Sequence, residues 1–173
     1  GEYVPLGNDL RLGVPTAVFG VSEPHKYLTA ALCRGSLLYV TADGISARRA
    51  AQSLSALTGE EAVLLTPKDD VLLYKEAISR EALFARLTAA DKIYSGARIV
   101  VCDAEAALQL FPARPVALVL RTGDDFDYAN LPAQLVSMGY NREYEVEAKG
   151  SFAVRGDILD IFPVNCENPV RID

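Results

Sequence analysis

Histidine occurs once in this 173-residue sequence and cysteine three times, and no apolar run approaches the length of a membrane span. Each scarcity narrows the function. One histidine, His25, and three scattered thiols, Cys33, Cys102 and Cys166, with no CxxC between them, supply no metal-ligand set. Their odd number and wide spacing point to reduced thiols rather than a disulfide framework. A bilayer crossing takes ~20 apolar residues, and the charged, proline-containing N-terminus lacks the form of a signal peptide. A cytoplasmic location without membrane contact is expected. A cationic surplus is missing as well: 17 Lys and Arg stand against 23 Asp and Glu, for a net charge of −6. That balance disfavours a chain whose main task is to neutralise nucleic-acid phosphates and favours a protein partner.

What is present is a βα alternation. Apolar, β-branched runs recur at "TAVFGV", "SLLYVTA", "EAVLLT", "ARIVVCD" and "PVALVLR", and helical spacing separates most of them. The segment "ISARRAAQSLSALTG" places Ile45, Ala50, Leu54 and Leu57 on one face and ends at Gly59. "SREALFARLTAADKIYSG" starts at Ser79, an N-cap residue type, carries Leu83, Leu87 and Ala90 on a stripe and stops at Gly96. Continuous apolar strands between such helices predict an α/β fold, a parallel sheet flanked by helices. The expected first domain is 1–124. Asp124 and Asp125 read as a solvated turn.

From 125 to 173 the texture changes. A short helix, "NLPAQLVSMGY", precedes runs of period near two, punctuated by Gly150, Gly156, Pro163 and Pro169. These predict part of a small antiparallel β-rich domain, with the chain stopping inside a strand, as a fragment of a larger protein would. Phe152, Val154, Ile158, Ile161 and Phe162 are its expected core. Gly156 is the expected bulge or bend.

One stretch resembles a phosphate-binding loop. In "GVSEPHKY", Gly20 and Lys26 stand at the first glycine and the lysine of G-x-x-x-x-G-K-S/T. His25 replaces the second glycine and Tyr27 replaces the metal-holding Ser or Thr. Pro24 offers no N–H to a phosphate. Ser22 as N-cap and Pro24 inside the first turn are ordinary helix-start chemistry. The loop therefore reads as degenerate P-loop-like, retaining strand, turn and helix without the site, and no cofactor is expected. No other catalytic constellation emerges. Asp157 and Asp160, three apart in an expected strand, would project to opposite faces rather than pair as acid and base.

The most specific stretch is "LVSMGYNREYEVEAKGSFAVRGDILDIFP", 135–163, followed by "VRID". It resembles the matching region of two related bacterial repair families, the excision-nuclease subunit UvrB and the transcription-repair coupling factors, and the α/β portion is similar to their first domain in element order. UvrB has an intact phosphate loop and a tyrosine-rich DNA-gripping hairpin. Here "TPKDDVLLYKEAISREALF" passes directly into a helix with Tyr74 as its one tyrosine, so the resemblance favours the coupling factors.

That resemblance implies a non-catalytic module whose small second domain recruits UvrA to stalled RNA polymerase in nucleotide excision repair. RNA polymerase and DNA would be met by other domains of the parent chain, an ATP-dependent DNA translocase, and those domains are further expected partners. The family's UvrA-contacting arginines fall on Arg155 in "VRGD" and Arg171 in "VRID". Composition alone favours a different use of both, pairing with Asp157, Asp160 or Asp173 on an exposed sheet, because 141–173 holds four basic against seven acidic residues. A nucleotide-binding or UvrB-type DNA-binding domain is the alternative function.

Overall fold

The computed structural model describes residues 8–9, 15–68, 80–111, 113–114, 117–123 and 125–173. Ser79, Tyr74 and Asp124 lie outside the described residues. The chain divides into two compact units, Gly1–Arg114 and Pro115–Asp173.

The first unit is built on three parallel strands, β1 (Leu37–Thr41), β2 (Ala62–Leu65) and β3 (Ile99–Asp103), in the order β1-β3-β2. As the central strand, β3 has no solvent face, and Ile99, Val101 and Cys102 are buried accordingly. Helices α1 (Glu23–Ala31) and α2 (Gly44–Thr58) contribute to one cluster, in which Tyr27, Ala47, Ala50, Ala51 and Leu54 meet Ala62, Ile99 and Val101. On a second cluster, Ala89 of α3 (Arg80–Tyr94) and Ala106 of α4 (Ala104–Leu108) pack with Val63, Leu65 and Cys102. The parallel sheet with helices is the predicted architecture.

Its details differ in three places. "TAVFGV" and "PVALVLR" join neither sheet among the described residues, and Phe19 and Val119 are exposed. β-propensity measures fit to a half-buried pleated surface, and without a ladder neighbour an apolar run does not become a strand. The buried face of α2 is Ala47, Ala50, Ala51 and Leu54, while Ile45 and Leu57 are exposed. Small side chains let a helix approach the sheet closely. In α3 the buried residues are Arg86, Ala89 and Ala90, and Leu83 is exposed. Arg86 is accommodated because its guanidinium donates to the carbonyl oxygens of Thr66 (2.5 Å) and Leu110 (3.2 Å).

α2 shows how local sequence sets its ends. Asp43 accepts from the Ser46 N–H at 2.9 Å, satisfying an amide the first turn leaves open. Gly59 closes the other end with φ 72°, a left-handed conformation cheap for glycine alone.

The second unit starts with a 3₁₀ turn (Tyr128–Asn130) and α5 (Leu131–Ser137), followed by a four-stranded sheet in the order β4-β5-β6-β7. The strands are β4 (Asn141–Arg142), β5 (Ser151–Arg155), β6 (Ile158–Phe162) and β7 (Val170–Ile172). β5, β6 and β7 are antiparallel neighbours, but β4 pairs with β5 in parallel, so the sheet is mixed rather than purely antiparallel. Leu131, Leu135, Phe152, Leu159 and Ile161 form the core, with Val154 and Ile172 packed against it.

Candidate interaction face of the small sheet

Gly156 and Asp157 determine which side chains share a face. They form a two-residue hairpin turn: Gly156 has φ 63°, no non-glycine residue among those described has positive φ, and Arg155 stands opposite Ile158. This is the primed geometry with glycine first, whose twist suits antiparallel strands. With the turn set, Phe152 pairs with Ile161 and Val154 with Leu159 on the face that meets α5. Arg155, Ile158 and Asp160 then fall on the opposite face by the alternation of strands.

Three expectations change as a result. Ile158, expected in the core, is 36% exposed, and Leu159 takes its place at 0%. Phe162 is half-buried beneath Lys149, whose Nζ lies 5.9 Å from the ring centroid, and is not a core residue. Asp157 sits in the turn, not in a strand with Asp160. Gly156 makes the bend of this tight turn, one of the two forms expected of it.

In β7, Arg171 lies directly opposite Asp160, so it shares the face of Arg155. Neighbouring strands are ~4.8 Å apart. β5 and β7 flank β6, and the two arginines stand opposite Ile158 and Asp160, two residues apart along it, which places their positions roughly 12 Å apart on the sheet. Both side chains are exposed, and each is held. Arg171 Nε donates to Asp160 Oδ1 at 2.7 Å and its Nη2 to Oδ2 at 2.9 Å. Arg155 Nη2 donates to the Tyr144 carbonyl at 3.0 Å and to Glu145 Oε1 at 3.4 Å, with its guanidinium carbon 5.3 Å from the Tyr144 ring centroid. Of the three carboxylates expected to compete for these arginines, Asp160 is the one that pairs, and with Arg171. The bond from Arg171, then the charges of Arg171 and Arg155, hold the Asp160 carboxyl below the usual carboxylate range. Arg171 is raised in turn by that bond and that charge.

Tyr144 is 86% exposed beside Arg155, and sequence reasoning gave it no role. Its contact with Arg155 spans 11 residues and the β4–β5 connection, so periodicity carries no signal for it. Aromatic, arginine and aliphatic side chains on one exposed face form a composition suited to a protein contact.

The degenerate phosphate loop is a helix start. Gly20 has φ 71° and sits in a bend, and Lys26 is exposed. The His25 and Lys26 amides both donate to the Ser22 carbonyl, at 3.0 and 3.2 Å. Ser22 occupies the N-cap position without capping through its side chain, because its Oγ bonds His25 Nδ1 at 2.6 Å. Tyr27 is buried in the α1–α2 cluster, and its hydroxyl donates to Glu23 Oε1 at 3.2 Å. Burial, and then Glu23, push its pKa upward. Amides that would face a phosphate are engaged, and a carboxylate stands beside the tyrosine that replaces the metal-binding hydroxyl.

A family model for the UvrB interaction domain matches residues 118–173. The transcription-repair-coupling factor of Bacillus subtilis (strain 168) is 32% identical over 143 residues, 79% of this chain and 12% of the relative. That of Myxococcus xanthus is 35% identical over 153 residues, 81% of this chain and 13% of the relative. The chain is homologous to part of the transcription-repair-coupling factors. UvrABC system protein B of Methanococcoides burtonii is 28% identical over 112 residues, 62% of this chain and 17% of the relative. The chain thus spans about an eighth of the length of the coupling factors it matches. The UvrB interaction domain match lies wholly within the second unit and includes the face that carries Arg155 and Arg171. Among the described residues, no helix is long and apolar enough to cross a membrane.

Proposed function

We propose that this chain is a non-catalytic recruitment module of transcription-coupled nucleotide excision repair, and that the face of β5, β6 and β7 opposite α5 docks UvrA. The observation that carries this reading is the UvrB interaction domain match over 118–173, within which two exposed guanidiniums share one sheet face. Arg155 and Arg171 are the anchors. Arginine is enriched among interface hot spots because its planar fork meets carboxylates bidentately and loses little order per bond formed. The recruited UvrA would be delivered to stalled RNA polymerase by other domains of a longer protein, which would also make the contacts with polymerase and DNA.

In this reading the first unit does not hydrolyse nucleotide. At its loop the His25 and Lys26 amides serve the helix and Tyr27 is buried. The test is retention of purified UvrA on a surface loaded with this chain. The wild-type chain retains UvrA, and the Arg155→Ala/Arg171→Ala variant loses at least ~30-fold in affinity, the loss expected when a hot spot is truncated. Equal retention by the two chains refutes the reading.

A further inference from the structure

Asp160 lies between the two arginines in the ladder, opposite Ala153 of β5 on one side and Arg171 of β7 on the other. Its side chain is 20% exposed and that of Arg171 is 62% exposed, so the acid is the sheltered partner and the cation the presented one. The pair uses one particular edge of the guanidinium. Nε and Nη2 donate to the two carboxylate oxygens. A guanidinium has five N–H donors in a fixed plane. Two of them face Asp160, and one Nη1 hydrogen with the second Nη2 hydrogen points outward along the side-chain axis. This outer edge is itself a two-donor fork, matched to a second carboxylate.

An unheld arginine at such exposure samples many rotamers and loses that freedom on docking. Arg171 is held by two bonds to Asp160, which leaves it less of that freedom to lose. We propose that Asp160 is a positioning residue that fixes Arg171 so that its outer edge meets an Asp or Glu side chain of the protein partner. This inference rests on the recruitment reading and adds the chemistry of the contact. The partner supplies an acidic side chain opposite Arg171, and Asp160 acts through Arg171 without touching the partner.

The test is a binding cycle by calorimetry, with UvrA titrated into the wild-type chain, Asp160→Asn, Arg171→Ala and the double variant. Asn is nearly isosteric with Asp and keeps the strand. Asp160→Asn is expected to weaken binding about tenfold, and the double variant to bind no more weakly than Arg171→Ala, as required when one residue works through the other. Were Asp160 merely part of the β6–β7 framework, its substitution would weaken binding equally in the Arg171→Ala background. That outcome overturns the inference, as does Asp160→Asn binding as tightly as wild type or tighter. In both cases the recruitment reading stands. A folded wild-type chain that binds no UvrA overturns both.

Discussion

Phe152→Ala should take away a large share of the small domain's stability, and with it that of its docking face, without touching Arg155 or Arg171. Phe152 is 0% exposed and packs in the cluster of Leu131, Leu135, Leu159 and Ile161. An aromatic side chain buries ~150–250 Å². At ~25 cal/mol per Å², and with the Cβ retained, truncation removes about 3–5 kcal/mol, which is also the range measured for Phe→Ala in cores. The unit runs from Pro115 to Asp173. Domains are stabilised by only ~0.05–0.15 kcal/mol per residue, so a unit of this length has about 3–9 kcal/mol to lose. The assay is urea unfolding followed by amide exchange, with β5 and β6 as probes and β3 as internal standard. Protection in β5 and β6 should collapse and that in β3 persist, while Phe152→Leu, which keeps most of the volume, should cost under ~1.5 kcal/mol. A Phe152→Ala variant destabilised by less than ~1 kcal/mol would refute the packing argument, since it would mean that this core collapses around the loss.

Gly59→Ala should cost about 1 kcal/mol in a urea melt, because φ is 72° there while a Cβ would meet nothing within 4 Å; the cost is backbone strain alone. Asp103→Ala should cost about 1 kcal/mol by removing the acceptor of the Ala106 N–H, 2.7 Å away at the start of α4. The carboxyls of Asp43 and Asp160 are both held below their ordinary value, by the bond from the Ser46 N–H and the bond from Arg171 respectively. Their contribution is therefore complete above the unfolded value of ~3.9 and disappears as pH falls through the lowered folded values. Asp160→Asn should flatten the acid limb of a stability–pH curve below about pH 4 and leave its neutral region unchanged in slope. Millimolar Mg-ATP should leave the melting temperature unchanged, whereas a ligand at a hundred times its Kd would add ~2.7 kcal/mol.

The three paired strands were legible because a continuous apolar run beside helical spacing is a strong local pattern. The unpaired runs at Val18–Phe19 and Leu118–Val119 show its limit, since pairing needs a neighbour that the run itself does not specify. Helix faces were read from hydrophobicity, which assigned Ile45 and Leu57 of α2 to the buried side. The sheet instead receives its alanines, because the separation of helix and sheet depends on side-chain size. The burial of Arg86 depends on carbonyls 20 and 24 residues away in sequence, and no local pattern reports them. At the candidate site, the two arginines came from the resemblance carried by "SFAVRGDILDIFP". Their common face came from a two-residue turn at Gly156, where a bulge or bend was expected, and its length was not specified by the glycine alone. One residue more or less in that turn would invert every side chain of β6 relative to β5. Asp160 was already one of three named partners for the arginines, and register selected it for Arg171 by placing the two directly opposite.

The central claim is that UvrA docks on the face of β5–β7 that carries Arg155 and Arg171. Site-specific photocross-linking tests it most directly, with a photoreactive phenylalanine analogue placed at Ile158 or, separately, at Val136. Ile158 is exposed beside Arg155, and Val136 is exposed on α5, the helix that packs on the other face. The account predicts a cross-link to UvrA from position 158 and none from 136. A cross-link from 136 with none from 158 would contradict it.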